Sequence, residues 1–340
     1  MAFVSTPASV STVMLKVLLA LVPAIAVYQL YFGPGILIGM ALACVTALTS
    51  EAALLRLRGL PVKPFLLDGS AVVTAVLRAL SMPPLAPWWL IVLATLFAVV
   101  VAKHLYGGLG NNLFNPAMVG YAVMLISFPA HMTQWPTPTT LAQIHLSFAD
   151  TLNFIFSGTL PDSLKLDALT MATPLDTLRT QLLLGRAADD ISRMPVFGIV
   201  GGKGGELLAL AYLAGGVYLL QQRLITWHIP VAFIAALALL AFGFHALDAA
   251  RYATPWFQLA GGSAMLGAFF IATDPVTGAT TPNGKIIFGA GIGALVFIIR
   301  TWGGYPDGVA FAVLILNMCV PLIDAYTQPR VFGHRKGGQP

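Results

Sequence analysis

Charge is what this sequence has least of. Asp, Glu, Lys and Arg make up 9% of its 340 residues, against 58% apolar residues. That share is roughly a third of what soluble domains carry, too little to cover a water-exposed surface, so a soluble globular fold is excluded. Cysteine is nearly absent: Cys44 and Cys319 lie far apart, each in an apolar segment. Two thiols are too few for an iron–sulfur cluster held by this chain alone, and they give no support to a disulfide framework. They read as small packing residues in helices. A cleavable signal peptide is not indicated, because residues 1–12 are polar and nearly uncharged and the apolar run that follows is too long. The net charge of +5 does not point to nucleic acid. In a membrane protein the positions of basic residues mark the cytoplasmic side.

What is present is a succession of apolar runs of helical length, for which about 20 residues suffice. Residues 13–32 and 35–55 are joined at Gly33-Pro34 and followed by Arg56, Arg58 and Lys63, placed in the cytoplasm. Residues 65–82 form a weak span that begins with Asp68-Gly69-Ser70, contains Arg78 and stops at Pro83-Pro84, the pattern of a broken helix. Residues 88–106 return to the cytoplasm at Lys103-His104, and 118–131 complete a first membrane repeat covering 1–131. Apolar runs fail over 132–206, an outer-face segment. Five further spans (207–222, 229–244, 257–273, 286–300 and 309–326) make a second repeat, 207–326, before a basic cytoplasmic tail, 327–340. The expected fold is an all-α polytopic membrane protein of about ten helices with both termini cytoplasmic. Gly69-Ser70-Ala71 is echoed by Gly262-Ser263-Ala264, each in a helix that runs into a proline-containing break, and Gly107-Gly108 by Gly303-Gly304. With five spans per half the second copy must be inverted, an arrangement that builds polar sites near the midplane.

Three groups of residues offer chemistry. Asn112 and Asn115, three apart before Pro116, can turn both amides one way, and an amide suits an uncharged heteroaromatic edge such as an isoalloxazine, with Phe114 against its face. The same residues also read as an ordinary helix cap. Among ionisable groups at membrane depth, Asp274 at a helix break and Asp68 are candidates for an ion or proton path. Arg300 and Asp307 read as a solvated pair at the interface. Thr173 is by chemistry alone an unremarkable loop hydroxyl.

Gly107-Gly108-Leu109-Gly110-Asn111-Asn112-Leu113-Phe114-Asn115-Pro116-Ala117, the stretch from Asp167 to Asp176, and the run from Gly303-Gly304-Tyr305-Pro306-Asp307 to Val313 together resemble the D subunit of the Rnf electron-transport complex. So do Pro321-Leu322-Ile323-Asp324 and the ending from Pro329 to Lys336. The asparagine loop is shared with a sister family, the B subunit of the sodium-translocating NADH:quinone reductase. The resemblance implies a bacterial inner-membrane subunit of a ferredoxin:NAD oxidoreductase that relays electrons between flavins, coupled to Na⁺ or H⁺ translocation. It implies FMN attached by a phosphodiester to the last Thr of Thr170-Met171-Ala172-Thr173, where Met171 replaces a glycine, in an accessible, flexible loop. Asp167, Thr170, Pro174, Leu175 and Asp176 flank that site. It also implies non-covalent riboflavin at Asn112 and Asn115, cluster-bearing partner subunits and an outer-face flavin subunit. The literal Thr277-Gly278-Ala279-Thr280 is set aside because the topology puts it in a cytoplasmic loop. Two other readings are a component of the quinone reductase and a flavin-free channel or secondary transporter.

Overall fold

The computed structural model describes residues 9–328 apart from 143, 162, 163 and 306. The basic tail Arg330, Arg335 and Lys336, the closing motif from Pro329 and Pro306 of the 303–313 run lie outside the described residues. The fold is α-helical. Val10–Phe32 and Gly35–Leu57 are 23 residues each, about 35 Å at 1.5 Å per residue and enough to cross a bilayer. Gly33, with φ of +81°, makes the sharp turn between them. The third element is broken as expected: a short helix Val62–Leu66, then Gly69 at φ +80°, then Ser70–Ser81. Trp88–Leu96 winds on as a π-helical stretch, Phe97–His104, and Pro116–Ser127 closes the first half.

The second half runs Gly205–Gln221, His228–Leu247, then Pro255–Ala260, a break at Gly261-Gly262 and a short turn Ala264–Leu266 that becomes π-helical over Gly267–Ile271. Pro282–Trp302 and Val309–Thr327 complete it. Many large apolar side chains on these helices face outward, Leu30, Leu239, Phe242 and Met318 among them. In water that surface would be prohibitive, but against lipid tails it costs nothing.

Two cavities lie between the halves, and the order in which each helix meets them gives its direction. Val10–Phe32 contributes Val13, Met14 and Val17 to one cavity and Tyr28 and Phe32 to the other. Its counterpart Gly205–Gln221 meets them in reverse, with Gly205, Leu208 and Tyr212 first and Leu219 last. The third elements are opposed too. Ser70, Val73 and Leu77 precede Leu80 and Ser81, whereas Ser263 lines the cavity that Ser81 reaches and Thr273 the other. Corresponding helices therefore run antiparallel, the geometry of an inverted repeat. The two first helices touch closely at Gly215, where any Cβ would overlap the Ala20 carbonyl, a small-residue contact typical of membrane helices.

Between the halves, residues 133–204 form a small cap outside the bundle. Trp135–Pro136 pairs antiparallel with Thr170–Met171. Leu175, Leu178, Ile191, Val196 and Phe197 bury one another against Phe257, which belongs to the broken helix of the second half. The cap is thereby pinned to the mouth of one cavity.

Candidate functional site

Thr173 lies on that cavity's wall. Thr173-Pro174-Leu175-Asp176 is a helix start in miniature: a hydroxyl cap, proline at the first helical position and an acid at the third. The structure realises it, with the Thr173 Oγ1 accepting from the Asp176 N–H at 3.2 Å and beginning the helix Pro174–Leu183. The hydroxyl is half-buried and held in an ordered turn. This corrects the flexible exposed loop anticipated from sequence, and the reason is the cap itself. Thr170 donates its hydroxyl to the Leu166 carbonyl at 3.1 Å and Asp167 is exposed to solvent; neither lines the cavity, which takes Met171, Ala172, Thr173, Pro174, Leu175 and Asp176.

This cavity beside the cap, the outer cavity, holds about 160 Å³ and is mainly apolar and aromatic, with Tyr28, Phe32, Tyr121, Trp135 and Tyr212 on its walls. Among the described residues, Lys203 and Asp176 are its charges outside any ion pair; Asp307 also reaches it but is committed elsewhere. Gly202 touches the Pro174 ring so closely that a Cβ would overlap it. We expect Gly202→Ala to displace the turn that presents Thr173, at a cost of about 1–3 kcal/mol by overpacking. Thermal unfolding of the purified variant checks this.

The second cavity, farther from the cap and so the inner cavity, holds about 130 Å³ and brings together Asn112, Asn115 and Asp274 with Ser70, Thr74 and Lys103. Phe114 is half-buried but not on its wall. The Asn115 Oδ1 caps Pro116–Ser127 by accepting from the Met118 N–H at 3.2 Å, and its Nδ2 donates to the Ile271 carbonyl at 3.3 Å. Asn317 accepts from the Asn115 N–H and donates to the Thr277 carbonyl, lacing the two halves together. Asn112 donates to the Phe114 carbonyl at 3.2 Å, and its Oδ1 accepts no hydrogen bond among the described residues. Asp274 accepts from the Val276 N–H and the Thr277 hydroxyl. Asp68 is spent on the helix start, accepting from the N–H of Ser70, a residue of the cavity wall, at 2.7 Å. Thr280, of the literal motif, donates its hydroxyl to Asp324 at 2.8 Å and lies near the inner cavity's end of the molecule.

Charged groups in the bundle are paired more deeply than the sequence suggested. Arg300 and Asp307 are not a solvated interface pair. The Arg300 Nη2 donates to Asp307 at 3.0 Å and to the Gly261 carbonyl at 3.1 Å, and Nη1 to the Gln258 carbonyl at 2.6 Å. Asp307 also accepts from the Ser263 hydroxyl and N–H. The broken helix leaves the Gln258 and Gly261 carbonyls without helical partners, and the guanidinium fork satisfies them. Lys103 and His104 do not mark a solvent-exposed return to the cytoplasm either. Both are buried in the π-helical stretch, with the Lys103 Nζ 2.7 Å from Glu51 and 2.8 Å from the Ser70 hydroxyl. His104 lies 3.6 Å from the same carboxylate oxygen. Arg78 is fully buried and meets the Met82 sulfur at 2.6 Å, with no carboxylate partner among the described residues.

Residues 1–333 match the sequence profile of the family described as NQR2, RnfD, RnfE. This chain belongs to that family. A relative from Aeromonas hydrophila is 52% identical over 332 residues, covering 96% of this chain and 95% of its own length. Relatives from Aliivibrio salmonicida and Escherichia fergusonii are 50% and 51% identical over 336 and 335 residues, again across nearly the whole of both chains. All three are named as the D subunit of an ion-translocating oxidoreductase complex. In this member of the NQR2, RnfD, RnfE family, sequence reasoning missed Glu51, Lys203 and Tyr212, and it read Lys103 as a cytoplasmic marker. Glu51 offered a signal, being a lone acid inside a strongly apolar helix. Tyr212 offered none, since one tyrosine in an apolar span reads as packing.

Proposed function

We propose that the chain is the flavin-carrying membrane subunit of an Rnf-type complex, an ion-translocating oxidoreductase of the bacterial inner membrane. In this reading FMN is joined through its phosphate to the Thr173 oxygen and riboflavin occupies the inner cavity without a covalent bond. The observation that carries the reading is that Thr173 opens onto an aromatic-lined cavity stacked on the same helices as a second one, which holds Asn112, Asn115 and Asp274.

The residues fit such groups. A phosphodiester on Thr173 would stand at the N-terminus of the ten-residue helix Pro174–Leu183, where backbone N–H groups and the helix dipole favour negative charge. Lys203 adds a cation on the same wall. Tyr28, Phe32, Tyr121 and Trp135 offer flat apolar faces. In the inner cavity the free Oδ1 of Asn112 suits a neutral ring edge, with no phosphate clamp required. When bound, flavins supply the electron-transfer chemistry, and this chain fixes their positions and surroundings. Leu77 and Leu80, three residues apart on one helix, line the inner and outer cavities respectively, a separation of about 5 Å along the axis. That closeness supports transfer between two flavins within this chain. Asp274, with Asp68 nearby, is the proposed route for Na⁺ or H⁺. Partner subunits supply the nicotinamide and cluster sites, and an outer-face flavin subunit exchanges electrons with the Thr173 flavin. Both termini face the cytoplasm.

Peptide mass spectrometry of the chain purified from its own host tests this. An FMN-sized addition on the peptide containing Thr173, with in-gel flavin fluorescence, is the expected result. An unmodified peptide from a host that contains flavin transferase would leave a flavin-free transporter as the better account.

A further inference from the structure

Where the helix Gly35–Leu57 ends, at the inner cavity's end of the bundle, apolar and basic side chains are exposed together. Leu57, Leu67 and Leu105 are 83%, 66% and 73% exposed, and Phe65 and Tyr106 join them. Arg56, Arg58 and Lys63 are exposed in the same connection, and none of the three forms an ion pair among the described residues. The nearest acids in sequence are already engaged: Asp68 accepts from the Ser70 N–H, and Glu51 is buried against Lys103. Neither water nor the bilayer interior suits such a surface. Water disfavours the leucines, and hydrocarbon disfavours the cations. The boundary between acyl chains and anionic headgroups suits both, with long basic side chains reaching the phosphates. The position fits, because the short helix Val62–Leu66 lies where the chain turns back between Gly35–Leu57 and Ser70–Ser81.

Arg58 makes this patch more than a general bias of charge. Its Nη1 and Nη2 both donate to the Gly107 carbonyl, at 3.2 and 3.3 Å. That holds the guanidinium on the loop leading to Leu109 and Asn112, which line the inner cavity. A guanidinium has five N–H donors in a fork that matches phosphate, and this contact leaves some of them free. We propose that residues 56–67, with Leu105 and Tyr106, bind an anionic phospholipid. Its phosphate lies on Arg56, Arg58 and Lys63, and its acyl chains run along Leu57, Leu67 and Leu105. Through Arg58 the lipid steadies the loop from Gly107 to Asn112. The site requires only that the chain spans a bilayer and is independent of the flavin reading.

The test titrates the full chain, purified in neutral detergent, with phosphatidylglycerol or phosphatidylcholine and counts bound lipid by native mass spectrometry. Phosphatidylglycerol should bind the parent chain, and phosphatidylcholine far more weakly, because choline cancels the charge of its phosphate. A basic residue near an anionic lipid surface contributes about fivefold in affinity. Arg56→Gln, Arg58→Gln and Lys63→Gln combined should therefore weaken phosphatidylglycerol about a hundredfold and leave phosphatidylcholine unchanged. The single variants, about fivefold each, give the same reading if the triple variant does not fold. Inorganic phosphate at equal concentration should not displace the lipid, since it has no chains to lay along the leucines. Equal binding of the two lipids, an unmoved affinity in the variants, or displacement by inorganic phosphate overturns the proposal. The purified complex supplies the last arm and should retain phosphatidylglycerol that Arg58→Gln releases. A parent complex that excludes the lipid would show another subunit covering the patch, and would overturn the proposal too.

Discussion

Replacing Thr173 with alanine is expected to leave the chain folded and to abolish covalently bound flavin entirely. The substitution removes two things at once: the oxygen proposed as the attachment atom and the cap that accepts from Asp176. Losing the cap costs about 1 kcal/mol, enough to loosen the turn that an attaching enzyme must grip. Alanine alone therefore leaves the cause ambiguous, and two further variants resolve it. Asparagine is as good an N-cap as threonine or better but has no hydroxyl to esterify, so Thr173→Asn should keep the turn and carry no flavin. Serine retains both functions, so Thr173→Ser should keep the modification, wholly or in part. Thr280→Ala should change nothing in the fluorescence, because that hydroxyl is tied to Asp324 at the other end of the bundle. In-gel fluorescence across the four variants is the measurement. Flavin retained in Thr173→Asn, or lost in Thr280→Ala, would move the attachment site elsewhere.

The helical architecture was legible because its cause is local. A run of about 20 apolar residues has few options in lipid, and glycine-proline or asparagine-proline junctions mark where such runs turn. Gly69 and Gly262 were legible as a pair because each sits before a serine at a helix break, and both adopt positive φ. What stayed hidden depends on partners far apart in sequence. Nothing in the neighbourhood of Lys103 says that its ammonium finds Glu51, 52 residues earlier. Nothing near Arg300 says that a break 39 residues upstream will leave the Gly261 carbonyl free for it to bind. Thr173 is the instructive intermediate. Its capping pattern was written in four consecutive residues, and reading it as a loose loop overlooked the proline and the acid that follow.

The buried cluster of Glu51, Lys103 and His104 carries the second large prediction. Lys103→Met should destabilise the protein severely, because it strands a carboxylate that is 2% exposed and already has one oxygen without a partner among the described residues. Removing one member of a buried ion pair typically costs about 3–5 kcal/mol. Glu51→Leu should be comparably harmful, leaving the Lys103 ammonium with only the Ser70 hydroxyl among the described residues. Removing both charges is a different experiment. Paired charges taken from water gain little net stability over apolar residues of similar volume, so the double variant Glu51→Leu/Lys103→Met should recover most of the loss. Thermal unfolding in detergent of the two single variants and the double variant measures this cycle. A double variant as unstable as the sum of the singles would mean that the two groups do not act as a pair. A rescued double variant allows a sharper question, because Lys103 lines the inner cavity beside Asn112 and Asp274. If the pair only holds helices together, the rescued protein should retain the non-covalent flavin proposed for this cavity at the parent level. If the ammonium is there to set the charge of the cavity, the rescued protein should fold normally and lose that flavin on purification. The second outcome is the expected one, since apolar packing would have closed this space at no electrostatic cost.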